Sequence, residues 1–171
     1  EFGRKVEQLG KHDTTAGQPV PTDILTNRGA TTILSNVGLP PLQRGESLLF
    51  HGTAADNATS IVKGRFDMAR CKGTGLAGEG LYFAESVTKS DEYARPGADG
   101  LLAMLVLRVH LGSVYRCVDV APDKDQLKAA VRSGSHSVLL DRAAARGTYR
   151  EFVLYEYRQC FPHFVVWYRR K

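Results

Sequence analysis

Cysteine is scarce in this 171-residue chain: Cys71, Cys117 and Cys160 stand far apart. No C-x-x-C pair or Cys/His cluster occurs, which excludes a zinc site of ordinary ligand spacing and an even disulfide framework, and points to a reducing compartment. Long apolar runs are missing too. The stretch 101–111 is too short to cross a bilayer and is interrupted by Arg108 and His110. No charged-then-apolar leader opens the chain, so a soluble intracellular protein, nuclear or cytoplasmic, is expected. Its opening pair, Glu1-Phe2, suits a piece trimmed from a longer protein. A strong charge of one sign is also lacking. The net charge of +5 is diluted by 18 acidic residues, and only Arg169-Arg170-Lys171 forms a basic run, so nucleic acid is not a supported partner.

What is present is ordinary globular composition, 43% hydrophobic and 24% charged, which places one domain with one core well away from the disordered and membrane classes. A chain of this length buries about 70% of the surface exposed on unfolding and needs no staple.

Two parts are expected: a loop-rich packing segment over 1–45 and a core over 46–171. The stretch 10–41 is rich in Thr, Gly, Pro and Asn and reads as loop. From Leu48 the pattern changes. A short strand Leu48-Leu49-Phe50 runs into His51-Gly52-Thr53, and Ala58, Ile61 and Val62 then mark a helix stopped by Gly64. A glycine-rich loop through Gly73, Gly75, Gly78 and Gly80 precedes a strand over 81–84 and a short helix opened by Ser86. Strands over 101–110, 114–118 and 137–140 and a helix over 124–132 follow. Two closing strands, 151–157 and 164–168, are expected on either side of a turn at Pro162. These pieces make an α+β fold with two small mixed sheets and few helices.

Gly73-x-Gly75-x-x-Gly78 matches the spacing of a dinucleotide fingerprint, but that motif opens a helix, and here a strand follows. The segment reads instead as a loop bordering a ligand cleft. The other candidates each have an ordinary alternative. His51 at a strand end suits a satisfied core imidazole, Tyr82 and Tyr93 suit packed aromatics, and Glu151 suits a carboxylate at an exposed strand end. Their joint reading is sharper. Gly52 lets backbone approach a planar amide, His51 offers a ring donor to a ribose hydroxyl, and Tyr82 and Tyr93 can enclose a flat cationic ring with Ser90 on its polar substituent. Glu151 would face positive charge developing at a sugar carbon.

Three blocks in order carry a resemblance: Leu49-Phe50-His51-Gly52-Thr53, then residues Gly78 to Tyr93, then Gly134-Ser135-His136-Ser137-Val138 with Glu151-Phe152-Val153-Leu154-Tyr155, Gln159 and Phe161-Pro162-His163-Phe164. Over about residues 46–168 the chain resembles the catalytic domain of poly(ADP-ribose) polymerases, nearest to the tankyrase branch. The resemblance implies the ADP-ribosyltransferase fold, with NAD+ as co-substrate in a cleft between the sheets and a protein, or the enzyme itself, as acceptor.

By the same resemblance the H-Y-E triad falls on His51, Tyr82 and Glu151. Gly52 and Ser90 would hold the carboxamide, Tyr93 and Tyr82 the ring and His51 the adenosine ribose. Lys89 would sit near Glu151, and Arg65 and Asp67 near the adenine and its ribose. The chain departs from the tankyrase pattern in lacking the cysteine-rich zinc element, so no metal is expected. The segment before Glu151 is shorter than in the large nuclear enzymes, and nothing of an autoinhibitory helical domain fits the first 45 residues. Two competing readings are an RNA 2'-phosphotransferase, for which His136 and His163 are the only later histidine candidates, and a catalytically inactive NAD- or ADP-ribose-binding module.

Overall fold

The computed structural model describes residues 21, 23–71 and 73–171. Among them, seven strands form a single sheet in the order β4-β5-β6-β2-β1-β3-β7. The strands are β1 (Glu46–Thr53), β2 (Leu81–Ala84), β3 (Leu102–His110), β4 (Val114–Cys117), β5 (Ser137–Asp141), β6 (Arg150–Leu154) and β7 (Cys160–Tyr168). The helices are α1 (Ala30–Asn36), α2 (Ala55–Lys63), α3 (Val87–Asp91), α4 (Lys124–Arg132) and α5 (Arg142–Arg146).

The α+β class stands, but the two expected sheets are two halves of one. Strands β1, β3 and β7 pair over long antiparallel ladders, as do β2, β6 and β5, yet β1 meets β2 at the single rung Phe50↔Ala84. The halves therefore splay apart on either side of that rung. Cross-strand partners share a face and successive residues alternate. Ala84, Tyr82, Val153, Glu151 and Leu140 thus lie on one face, and Phe83, Phe152 and Leu139 on the other. Phe50 belongs to the first face by its pairing with Ala84, so His51, next along, belongs to the second.

The core follows the same division. On one face Leu49, Leu105, Leu107, Val109, Phe83, Phe152 and Leu154 pack with Ala55 and Ala58 of α2. On the other, Val138, Leu140 and Val153 pack against Leu127 of α4 and Ala77 of the glycine-rich loop. Helix α4 starts where Asp123 accepts hydrogen bonds from the backbone N–H groups of Asp125 and Gln126, and α3 where Ser86 accepts one from Lys89.

Three expectations are corrected. The stretch read as loop contains α1, whose Ala30 and Leu34 bury against Leu48; its remainder over 10–20 lies outside the described residues. Seven residues with few apolar positions show too little periodicity to declare a helix. Pro162 is inside β7, not in a turn. It pairs with Leu107 beside a register shift, and because β7 is an edge strand the missing N–H leaves no ladder bond unmade. The strand from Glu151 stops at Leu154, and a 3-10 turn over Tyr157–Gln159 makes the connection instead. Helix α5 was not foreseen at all; Asp141 caps it by accepting from Ala144 N–H at 3.0 Å.

No helix among the described residues is long and apolar enough to cross a membrane.

Candidate active site

The splayed junction between β1 and β2 opens a cleft of about 860 Å³. All nine sequence-predicted site residues line it: His51, Gly52, Arg65, Asp67, Tyr82, Lys89, Ser90, Tyr93 and Glu151. Convergence of side chains from opposite faces of a sheet is possible here because the sheet parts.

His51 is held at its Nδ1, 2.8 Å from the Tyr82 carbonyl oxygen across the gap. A carbonyl only accepts, so Nδ1 carries the proton. Phe66 stands edge-on to the ring at 5.2 Å and Phe83 lies 5.7 Å away. Burial pulls the imidazole below its ordinary pKa, and the bond to Tyr82 offsets this only in part, so the ring is neutral at neutral pH. Its Nε2 is then an acceptor, not the donor the sequence reading assigned. It suits a hydroxyl that donates. Phe66, which builds the wall behind the ring, went unrecognised in the sequence because a single Phe after a helix carries no distinguishing pattern.

Gly52 has a reason of its own. A Cβ there would lie 1.8 Å from the Ser90 carbonyl oxygen, so only glycine lets β1 and α3 come this close. The contact places the Ser90 side chain, 4% exposed as a residue, on the cleft wall beside the Gly52 backbone. Among the described residues the Ser90 hydroxyl has no hydrogen-bond partner, which leaves it available to a ligand.

Tyr82 projects beneath the glycine-rich loop. Its hydroxyl accepts from Ala77 N–H at 2.8 Å and donates to the Gly78 carbonyl at 3.0 Å. Burial pushes this phenol far above its ordinary pKa, so it stays protonated. Tyr93 is half-exposed, and its ring lies 5.1 Å from the Lys89 ammonium. Lys89 donates to Glu92 at 2.8 Å and to the Tyr93 hydroxyl at 3.2 Å. Burial alone would lower its pKa, but Glu92, Glu151 and Tyr93 outweigh it and hold the ammonium above its ordinary value.

Glu151 is 8% exposed. Burial raises its pKa, opposed by Lys89 and by Arg142, which also lines the cleft, while Glu92 adds to the rise. Arg65 and Asp67 lie on the rim beyond α2. The Arg65 guanidinium stacks 5.2 Å over the Tyr157 ring, and Asp67 caps the short turn Met68–Arg70. His136 bonds to Ser113, and neither it nor His163 is among the cleft residues, so the two histidines an RNA 2'-phosphotransferase would call on are elsewhere.

This arrangement can hold an amide against backbone and a hydroxyl, cover a flat ring with aromatics, and set a buried carboxylate near a developing cation. The chain is 41% identical over 80 residues to a Caenorhabditis elegans protein described as "Poly [ADP-ribose] polymerase tankyrase", a match covering 45% of this chain and 4% of that protein. The chain thus spans only a small part of that relative's length. A family model described as the poly(ADP-ribose) polymerase catalytic domain matches residues 27–170, and the chain belongs to this family.

Proposed function

We propose that the chain is an NAD+ ADP-ribosyltransferase that cleaves the nicotinamide-ribose bond and transfers ADP-ribose to a protein acceptor, with His51, Tyr82 and Glu151 as the triad. The observation that carries this reading is the enclosure of a buried, weakly paired carboxylate, Glu151, in the same cleft as a neutral His51 and the rings of Tyr82 and Tyr93. The residues also suit the dinucleotide on a test independent of the triad. The close approach of the Gly52 and Ser90 backbones brings Gly52 and Ser90 side by side on the cleft wall, which fits a carboxamide held by backbone and a hydroxyl.

NAD+ supplies a glycosidic bond to a pyridinium leaving group. Tyr82 and Tyr93 cover that ring, and cation-π attraction to the aromatic faces contributes about 0.5–2 kcal/mol. Gly52 and Ser90 orient the carboxamide. His51 Nε2 accepts from a hydroxyl of the adenosine ribose, with Arg65 and Asp67 at the adenine end. Glu151 accepts from a hydroxyl of the nicotinamide ribose and stabilises positive charge as it develops on that sugar, the placement in which electrostatic help lowers a barrier most. Lys89 favours the ionised carboxylate through its charge, at 3.9 Å, without donating a hydrogen bond to it. The same carboxylate can take a proton from a ribose hydroxyl acting as acceptor, which permits chain extension. An automodification gel distinguishes the outcomes: a ladder for polymer, a sharp band for single units.

The test uses labelled NAD+. Glu151→Gln keeps shape and removes charge, so nicotinamide release and label transfer fall by orders of magnitude while NAD+ binding survives. Near-normal turnover in that variant overturns the assignment. A parent chain that binds NAD+ tightly and never liberates nicotinamide is a binding module.

A further inference from the structure

Behind the cleft, Tyr82 from its lining and Tyr155, Lys124 and Lys128 from outside it grip the glycine-rich loop. Ala77, fully buried, has its peptide held on both sides. Its N–H donates to Tyr82 Oη at 2.8 Å, and its carbonyl accepts from Tyr155 Oη, also at 2.8 Å. Tyr82 comes from β2, and Tyr155 directly follows β6, so two adjacent strands hold one loop residue. The foot of the loop is held separately. Lys124, the first residue of α4, donates to the Gly73 carbonyl at 2.8 Å, and Lys128 one turn on lies 3.9 Å from Glu79. Gly78, at φ +75°, has the Lys124 and Lys128 aliphatic chains packed where a side chain would project.

The cleft side of this loop is Thr74, Gly75 and Leu76, with Gly80 at its end. Gly75 sits so close to the Tyr82 ring that a Cβ would lie 2.3 Å from its hydroxyl. The loop wall and the Tyr82 ring therefore occupy a fixed relation set by the grip on Ala77 and Gly73.

We propose that Tyr155 and Lys124 are positioning residues: they latch the loop 73–80 from outside the cleft and set the wall against which the dinucleotide binds. The role lies in substrate affinity and not in bond cleavage, because neither residue lines the cleft where Glu151 stands. Tyr155 ties the crest and Lys124 the foot, so each loosens the wall when removed, and the two together loosen it more than either alone. This rests on the reading of the cleft as an NAD+ site.

The test is Tyr155→Phe and Lys124→Met, singly and combined, in the whole chain, with thermal unfolding as the check on folding. Two readouts are taken. Amide hydrogen exchange at Ala77 and Gly78 reports the latch with no ligand present, and exchange is expected to quicken about three- to ten-fold in each single variant, the effect of one ordinary hydrogen bond. Steady-state kinetics report its consequence. KM for NAD+ is expected to rise by a similar factor while kcat stays within about two-fold, and Lys124→Arg, which keeps a donor, restores both readouts toward the parent.

Unchanged exchange at Ala77 and Gly78 overturns the latch. Faster exchange with an unchanged KM, or with kcat and KM falling out of line together as general loosening would cause, overturns its role in affinity. A parent that neither binds nor cleaves NAD+ overturns the function reading and the affinity role with it, and the exchange readout still decides the latch.

Discussion

Lys89 Nζ stands 3.9 Å from Glu151 Oε1, an ion pair too long to be a hydrogen bond, while the ammonium donates to Glu92 and to the Tyr93 hydroxyl. Burial and Glu92 work against a charge on Glu151, and the attraction of Lys89 and Arg142 offsets them only in part, so its pKa stands above the ordinary value. A group in that state serves a ligand at the expense of the fold.

Replacing Glu151 by Gln is accordingly expected to raise the thermal midpoint at neutral pH by about 2–4 °C, the shift that about 1 kcal/mol produces in a domain of this size. Burial raises the folded-state pKa of Glu151 above its unfolded value, so the carboxyl favours the fold when protonated and loses that advantage as pH rises through the folded pKa. The difference between the two proteins must then shrink as the solution is acidified. Thermal unfolding across pH checks this, and a parent more stable than the variant at neutral pH contradicts it.

Arg142 lines the cleft and lowers the Glu151 pKa together with Lys89, against burial and Glu92. With Arg142→Gln the carboxylate ionises at higher pH. The acid limb of the pH profile of kcat/KM is expected to move upward, with the plateau above it kept. A limb that stays where it was assigns it to another group.

Gly52→Ala would drive a methyl into the Ser90 backbone, which cannot yield as a flexible side chain would. Strain of this kind in a packed region costs about 1–3 kcal/mol and here displaces the α3 segment carrying Ser90 and Lys89. Denaturant unfolding should show the loss of stability, and NAD+ affinity should fall with it. Retention of both would mean that the two backbones slide apart at little cost.

Arg150 donates to both carboxylate oxygens of Glu85, at 2.5 and 2.9 Å, and also reaches Asp23, while Glu85 accepts from Leu25 N–H. The pair fastens the segment before α1 to β2 and β6. Arg150→Met leaves Glu85, 8% exposed, without its cation, and removing one partner of such a pair costs about 3–5 kcal/mol. Adding Glu85→Gln should recover part of the loss, measured by chemical denaturation of the single and double variants.

His51 is expected to hold the proton on Nδ1 and to remain neutral when the solution is brought through its ordinary pKa of 6.5, because burial outweighs the stabilising bond to Tyr82. As pH falls through the lowered pKa, protonation works against the folded state. Ring nitrogen chemical shifts recorded against pH report tautomer and charge directly; a midpoint at or above 6.5 would refute the assignment.

Most of the candidate site residues were legible because they sit in short blocks of strong local pattern that together resemble a known family, Arg65 and Asp67 being carried by the resemblance alone. Leu81 to Ala84 is an uninterrupted apolar strand, Ser86 a plain helix cap, and Gly52 a glycine at the end of a strand. Phe66, Arg142 and Tyr155 were not read as parts of the site or its support. Phe66 gains its meaning from lying against His51, Arg142 from a helix too short to show periodicity, and Tyr155 from a loop far away in the chain.

Sequence alone determined where the strands and most of the helices lie, since apolar runs, caps and turn residues are local, while the faces came from the register between strands. The resemblance of its motifs to a known family also pointed to nine residues, all of which line one cleft. Tertiary structure decided where the sheet parts. Only because β1 and β2 share the single rung Phe50↔Ala84 do His51 from one face and Tyr82 and Glu151 from the other reach the same cleft, and only there does the Tyr82 carbonyl turn His51 into an acceptor. The extent of pairing between two strands depends on everything packed above and below them, and no stretch of either strand encodes it.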